Sequence, residues 1–179
     1  MVNGTVSISH SPYPTAKDAV PMSNGSQPKL LIPALNPIYT ALNPLLDPLL
    51  RIITGLWLIP HGAQKLFGWN AGPNQPVGFD ALSQAFEKYL HLPGVFGPLA
   101  ALIEFVGGIL LVLGLLTRPA ATIVFVELLI AFITVHLPNG FFADAHGFEY
   151  VLMWTALAGV VAVRGGGRFS VDALIGREF

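Results

Sequence analysis

The sequence predicts an all-α fold, a polytopic membrane four-helix bundle, and three observations carry that expectation. The residues are 53% hydrophobic and only 11% charged, outside the balance of a soluble domain. Four stretches are apolar over close to the ~20 residues a helix needs to cross hydrocarbon. Proline and glycine punctuation separates them where helices start and stop.

The first 47 residues stand apart. They are rich in Ser, Pro and Asn, and their charges are confined to Lys17, Asp18, Lys29 and Asp47. Residues 1–30 are expected to be disordered, and 31–47 to approach the membrane surface irregularly. Ala-Leu-Asn-Pro occurs at 34–37 and again at 41–44, too few copies for a repeat architecture. No basic start is followed by an uninterrupted apolar run and a small-residue cleavage site, so a cleaved leader is not expected.

Asp47-Pro48 supplies an N-cap and a first-turn proline for a span over about 48–67. Gly97-Pro98 opens a second span over 98–116. Thr117, Arg118 and Pro119 open a third over 119–137, which Pro138-Asn139-Gly140 ends. A fourth covers 146–163 and stops at Arg164 and the glycines at 165–167, leaving 165–179 as a short cytoplasmic tail. The tight turn between the second and third spans makes them antiparallel neighbours. Both are apolar around the whole circumference, which suits lipid exposure rather than one buried stripe.

Four spans place both termini on one side. Lys29, Arg51, Arg118, Arg164, Arg168 and Arg177 fall there, against Lys65 and Lys88 opposite. The positive-inside rule makes that side the cytoplasm of a cell (inner or plasma) membrane. The 68–97 loop, with an amphipathic stretch from Phe79 to Leu90, then lies outside together with the 138–146 loop.

Several function classes are excluded at this stage. A net charge of −1 and the lack of any basic run argue against nucleic acid. With no cysteine, disulfides, thiolate zinc sites and a thiol relay within the chain are impossible. No Gly-x-Ser-x-Gly occurs, no metal-ligand spacing such as His-Glu-x-x-His is present, and the glycines at 165–167 follow a span rather than a strand.

Ionisable groups in hydrocarbon call for a partner, a cavity or a function. Arg51, Thr54, Leu58, His61 and Lys65 recur at steps of three and four, one stripe on the first span, with Gln64 at its border. In the second span Ala100, Glu104 and Gly108 share a face with Gly107 beside it, so the carboxylate should point into a close helix contact. His61 and Glu104 each lie six residues, about 9 Å, from the outer end of their spans. With Gln64, Lys65, His136, His146 and Glu149 they form a candidate pocket toward the outer surface. Toward the cytoplasm, Arg51 and Glu127 are expected to form a structural ion pair. The outer group suits an ion-pair network that fixes packing, or a pocket for a quinone head group, a small acid or a proton path.

These residues carry a resemblance. His61-Gly62-Ala63-Gln64-Lys65-Leu66-Phe67-Gly68, Glu104-Phe105-Val106-Gly107-Gly108 and Gly114-Leu115-Leu116-Thr117-Arg118-Pro119-Ala120 are similar to the DoxX family of small four-helix membrane proteins. The match continues through His136, Asn139-Gly140-Phe141-Phe142, Glu149-Tyr150 and the tail from Gly166 to Leu174. The resemblance implies a membrane component of an oxidoreductase system, similar to subunits of thiosulfate:quinone oxidoreductase or of oxidative-stress and thiol-handling complexes. It implies a quinone as cofactor or substrate and a soluble redox partner, and it leaves a homo-oligomer open. His61 and Glu104 would exchange protons with the head group, Lys65 would hold negative charge, and Phe141 and Phe142 would cover the mouth. Paired histidines also admit haem. The alternative reading is a non-enzymatic scaffold or a small-solute carrier. A carrier should show a second broken helix to match Pro60, and none is evident.

Overall fold

A computed structural model describes residues 30–178. The disorder expected for 1–30 falls, except at Leu30, outside the described residues. Residues 38–178 lie in one compact unit. Helix α1 is Asn36–Phe67. Helix α2 is Phe79–Ala85, prolonged by a π-helical turn at Phe86–Leu90. Helix α3 runs over Phe96–Leu113 and contains a π-helical turn at Ile103–Gly107. Helix α4 is Thr117–Ala131, followed by a π turn at Phe132–His136. Helix α5 is Glu149–Arg164, and α6 is the short Val171–Leu174. No strand occurs among the described residues.

Four long helices make the bundle, as the sequence predicts. Three helical stretches, 33–67, 96–113 and 117–139, are long and apolar enough to cross a membrane. The fourth, α5, has 16 residues, about 24 Å of helix, and packs extensively along α4. Leu111, Ala121, Val124, Leu128, Trp154, Ala158 and Val161 are buried at the centre together with Leu58. Outward faces carry exposed Leu99, Val106, Ile123, Val126, Ile130, Leu152 and Val160, the apolar belt that lipid requires. Threonine hydroxyls, buried or outward-facing, are kept from stranding by local bonds. Thr54, Thr122, Thr134 and Thr155 each donate to the carbonyl four residues earlier, the arrangement that lets threonine sit inside a helix.

The start of the first span differs from the sequence reading. Residues 36–47 are helical rather than irregular, and Pro44, Pro48 and Pro60 all lie inside α1. Pro44 and Pro48 are four apart, so the backbone bonds they remove fall on one face and the ladder persists on the others. Asp47 is therefore no cap. Its carboxylate instead accepts from Arg164 at the end of α5.

Close contacts between glycines set the approach of α1 to α3. A methyl group on Gly55 would lie 2.5 Å from the Gly108 carbonyl oxygen, and one on Gly62 would lie 2.5 Å from the Phe105 nitrogen. Gly107 faces the other way, where a methyl would meet Val124 of α4 at 2.8 Å. The small-residue face expected around Glu104 thus wedges α3 between α1 and α4, and the carboxylate is carried into the space they share.

The end of the bundle away from Glu104 is closed by the tail. Gly114 ends α3 with φ +69°, and Leu116 follows with φ 50°. Asp172 of α6 accepts from the Leu116 and Thr117 backbone N–H groups, both at 2.9 Å, and from the Thr117 hydroxyl at 2.7 Å. One buried carboxylate thereby satisfies the open N-terminus of α4. The 165–178 segment is consequently a docked closure of the bundle rather than a loose tail.

Candidate functional site

At the opposite end, α1, α3, α4 and α5 enclose a cavity of about 480 Å³. Of the residues picked out from sequence, His61, Lys65, Glu104, His136 and His146 line it. Lys65 Nζ donates to Glu104 Oε1 at 2.6 Å, with the glutamate side chain 8% exposed and the lysine 36%. The second oxygen, Glu104 Oε2, is buried without a hydrogen-bond partner in the protein. One carboxylate oxygen is therefore held by a cation while the other remains free to accept.

Aromatic rings form another wall. Trp57 and Trp154 stack with centroids 4.8 Å apart and planes 19° apart, and Trp57 also lies 6.0 Å from the His61 ring. Such a pair offers a flat surface to a planar guest. His136 Nδ1 lies 2.9 Å from the His146 carbonyl oxygen. A carbonyl only accepts, so Nδ1 carries a proton and a neutral His136 keeps Nε2 as its acceptor. This bond and the Asn139 side chain, which donates to the His146 carbonyl at 3.4 Å, tie the 140–148 turn across the end of α4.

Two predicted members stand elsewhere. Gln64 donates to the Asn70 carbonyl at 3.2 Å and lines a small depression with Pro60 and Trp69. The Glu149 backbone N–H donates to the Phe141 carbonyl at the start of α5, and its side chain is not in the cavity wall. Phe141 stacks edge-on against Phe142 and Phe148 rather than over the cavity.

The expected Arg51–Glu127 ion pair does not form. Arg51, 1% exposed, donates to the carbonyls of Leu111 and Val112 at 2.6 and 2.7 Å and to that of Phe169 at 2.7 Å. The last carbonyls of α3 have no partner within their own helix, and one guanidinium nitrogen, Nη1, donates to two of them. Glu127 lies farther along the bundle, in the wall of the large cavity with Glu104 and Lys65. Its Oε2 is buried without a partner. Sequence reasoning assigned it to the wrong end because it sits near the middle of α4, where residue counting alone places it between both groups.

Three features escaped the sequence reading: the place of Glu127 in the cavity wall, the tryptophan pair and the π turns. Each of the three π turns contributes to the cavity, through Phe86 and Leu90, through Glu104, and through Val135 and His136. A π turn widens the helix locally and recurs at functional sites. Among the described residues no three His, Asp or Glu side chains gather as a metal site.

The architecture defines a multi-pass helical membrane protein with a polar cavity at one end of its bundle. It belongs to the DoxX family, whose model matches residues 46–137. Residues 96–179 also match the family described as TQO small subunit DoxD. An uncharacterized protein of Haemophilus influenzae (strain Rd) is 34% identical over 129 residues, 69% of this chain and 85% of its own length. A Bacillus subtilis (strain 168) protein, provisionally named an oxidoreductase and called CatD, is 33% identical over 109 residues, 61% of this chain and 72% of its own. No solved structure matches the chain.

Proposed function

We propose that the chain is the membrane subunit of an oxidoreductase system that binds a quinone in the cavity and works with a soluble partner holding the redox centre. The observation that carries this reading is one cavity joining a stacked Trp57–Trp154 surface to a Lys65–Glu104 pair with a free carboxylate oxygen. Its volume, about 480 Å³, lies in the range of small-molecule sites. Membership of the DoxX family, the partial match to the TQO small subunit and the oxidoreductase name of the Bacillus relative support the redox direction.

Reduction of a quinone to a quinol takes up two electrons and two protons. The chain has no cysteine, so no thiol relay of its own delivers the electrons, and the partner supplies them. The chain's residues handle the protons. Glu104 and His61 exchange them with the ring oxygens, and Lys65 balances negative charge that develops there. Both termini lie in the cytoplasm in this reading, and the cavity opens near the other face of the plasma membrane.

Quenching of tryptophan fluorescence on titrating a tail-free benzoquinone into the purified protein tests the site. Quenching that saturates, and weakens in Glu104→Gln, is the expected result. Absence of saturable quenching in the wild-type protein and in Glu104→Gln sinks the quinone assignment.

A further inference from the structure

The polar cavity does not end at Glu127. A second space of about 480 Å³ adjoins it, a groove between α3 and α4 walled by Phe96, Leu99, Ile103, Ile123, Val126 and Ile130. The two spaces share Phe86, Leu90, Ala100, Glu127, Ala131 and Val135, so they meet along one seam. Polar atoms contribute almost nothing to the groove surface. Leu99, Ile123, Val126 and Ile130 are 44–54% exposed, and in a bundle whose outward faces meet lipid such a groove opens onto hydrocarbon.

Glu127 is the anomaly that gives this seam meaning. Its carboxyl stands between a polar space and an apolar one, with one buried oxygen unpartnered. Packing alone would favour an apolar residue there, since an ionisable group in hydrocarbon is expensive. A guest with a polar ring and a long hydrocarbon chain would place its ring beside the carboxyl and its chain along the groove.

We propose that the α3–α4 groove is the lateral route by which a prenyl quinone leaves the bilayer for the cavity, and the place where its tail remains once the ring lies beyond Glu127. This rests on the quinone reading of the cavity. A molecule dissolved in hydrocarbon meets the bundle from the side. The groove is the apolar space continuous with the polar one, and α2 covers its end through Phe86 and Leu90. The α2 helix is held in that position by buried Leu82, whose carbonyl oxygen would lie 2.5 Å from a methyl on Gly97 of α3.

A quinone with a diazirine at the end of a decyl tail, photolysed with the full-length protein in lipid nanodiscs, tests the route. Labels should map to the groove, at Ile123, Val126 and Ile130, and excess tail-free benzoquinone should abolish them. Thr134→Phe and Val126→Phe, each narrowing the groove from an exposed position, should lower that labelling severalfold. A phospholipid with the diazirine on an acyl chain should label the outward faces generally and resist the competitor. Tail labels spread over Leu152 and Val160, or groove labels that survive competition, mean an ordinary lipid contact and overturn the proposal while ring binding stands. If the tail-free ring fails to quench Trp57 and Trp154 in a saturable way, the quinone reading itself has failed and the route falls with it.

Discussion

Lys65 and Glu104 contribute unequally to the pair they form. The glutamate side chain is 8% exposed and the lysine 36%, so removing the lysine strands a carboxylate in the bundle, whereas removing the carboxylate leaves an ammonium that still reaches solvent. Breaking a fully buried pair costs about 3–5 kcal/mol and an exposed one under about 1 kcal/mol. Lys65→Met is therefore expected to destabilise by about 2–3 kcal/mol and Glu104→Gln by about 1 kcal/mol or less. The double variant should recover most of the loss, because nothing charged is then left unpaired. Thermal unfolding in mild detergent measures all three, and equal losses from the two single variants would contradict this asymmetry. Helical spacing alone made this pair legible, since His61 and Lys65 share a stripe and Glu104 lies at matching depth. The same counting misled for Arg51 and Glu127. A guanidinium near the end of a neighbouring helix finds that helix's open carbonyls first, and those of Leu111 and Val112 are what Arg51 holds. The spare acceptor carbonyls at a helix C-terminus are a signal that a search for opposite charges overlooks.

Helix ends and helix faces place these side chains, and α4 shows how. It begins with no cap of its own, after a residue with positive φ at Leu116, and takes its cap from Asp172, which lies 55 residues farther along the chain. Asp172→Ala would leave two backbone N–H groups and a hydroxyl without their acceptor. A lost cap costs about 0.5–2 kcal/mol and a stranded buried donor about 1–3 kcal/mol, so a loss of about 2–4 kcal/mol is expected. Asp172→Asn, which retains one acceptor oxygen, should lose about half as much. Amide exchange at residues 115–120 should accelerate in step. Exchange unchanged there in Asp172→Ala would mean that the closure does not hold α4. The sequence reading gave 165–179 only as a short cytoplasmic tail, because a short segment after three glycines carries no sign of where it folds back. It missed the π turns for a related reason, since no residue pattern marks them and their geometry is settled by contacts with other helices. By contrast, Gly107 and Gly108 were legible as a close-packing face, because a missing side chain is visible in the sequence itself.

For the whole molecule, apolar length was enough to announce a bundle, and the chain's polarity was written in where its ionisable residues fall. The structure gathers most of the named cavity residues at one end and crowds the other with Asp47, Arg51, Arg118, Arg164 and Asp172. Two cations at that second end are paired with carboxylates and a third is hydrogen-bonded to backbone. Arg164 pairs with Asp47, Arg118 with Glu178 at 3.3 Å, and Arg51 is buried among carbonyls. A net-charge count still finds the asymmetry, because Asp80, Glu87, Asp144 and Glu149 fall at the cavity end. Orientation follows the number of lysines and arginines beside each membrane face, with acidic neighbours contributing little, so the expectation of both ends inside survives the pairing. A chain without cysteine makes the measurement direct. In intact cells a membrane-impermeant maleimide should label Asn74→Cys, in the loop between α1 and α2, and should leave Arg177→Cys unlabelled until the membrane is permeabilised. The reverse pattern would invert the molecule and place the cavity end toward the cytoplasm. That outcome bears on the chemistry as well as the orientation, because a soluble partner must reach the cavity end to pass electrons over a short distance. Labelling at Asn74 points to a partner outside the cytoplasm, and labelling at Arg177 points to one within it.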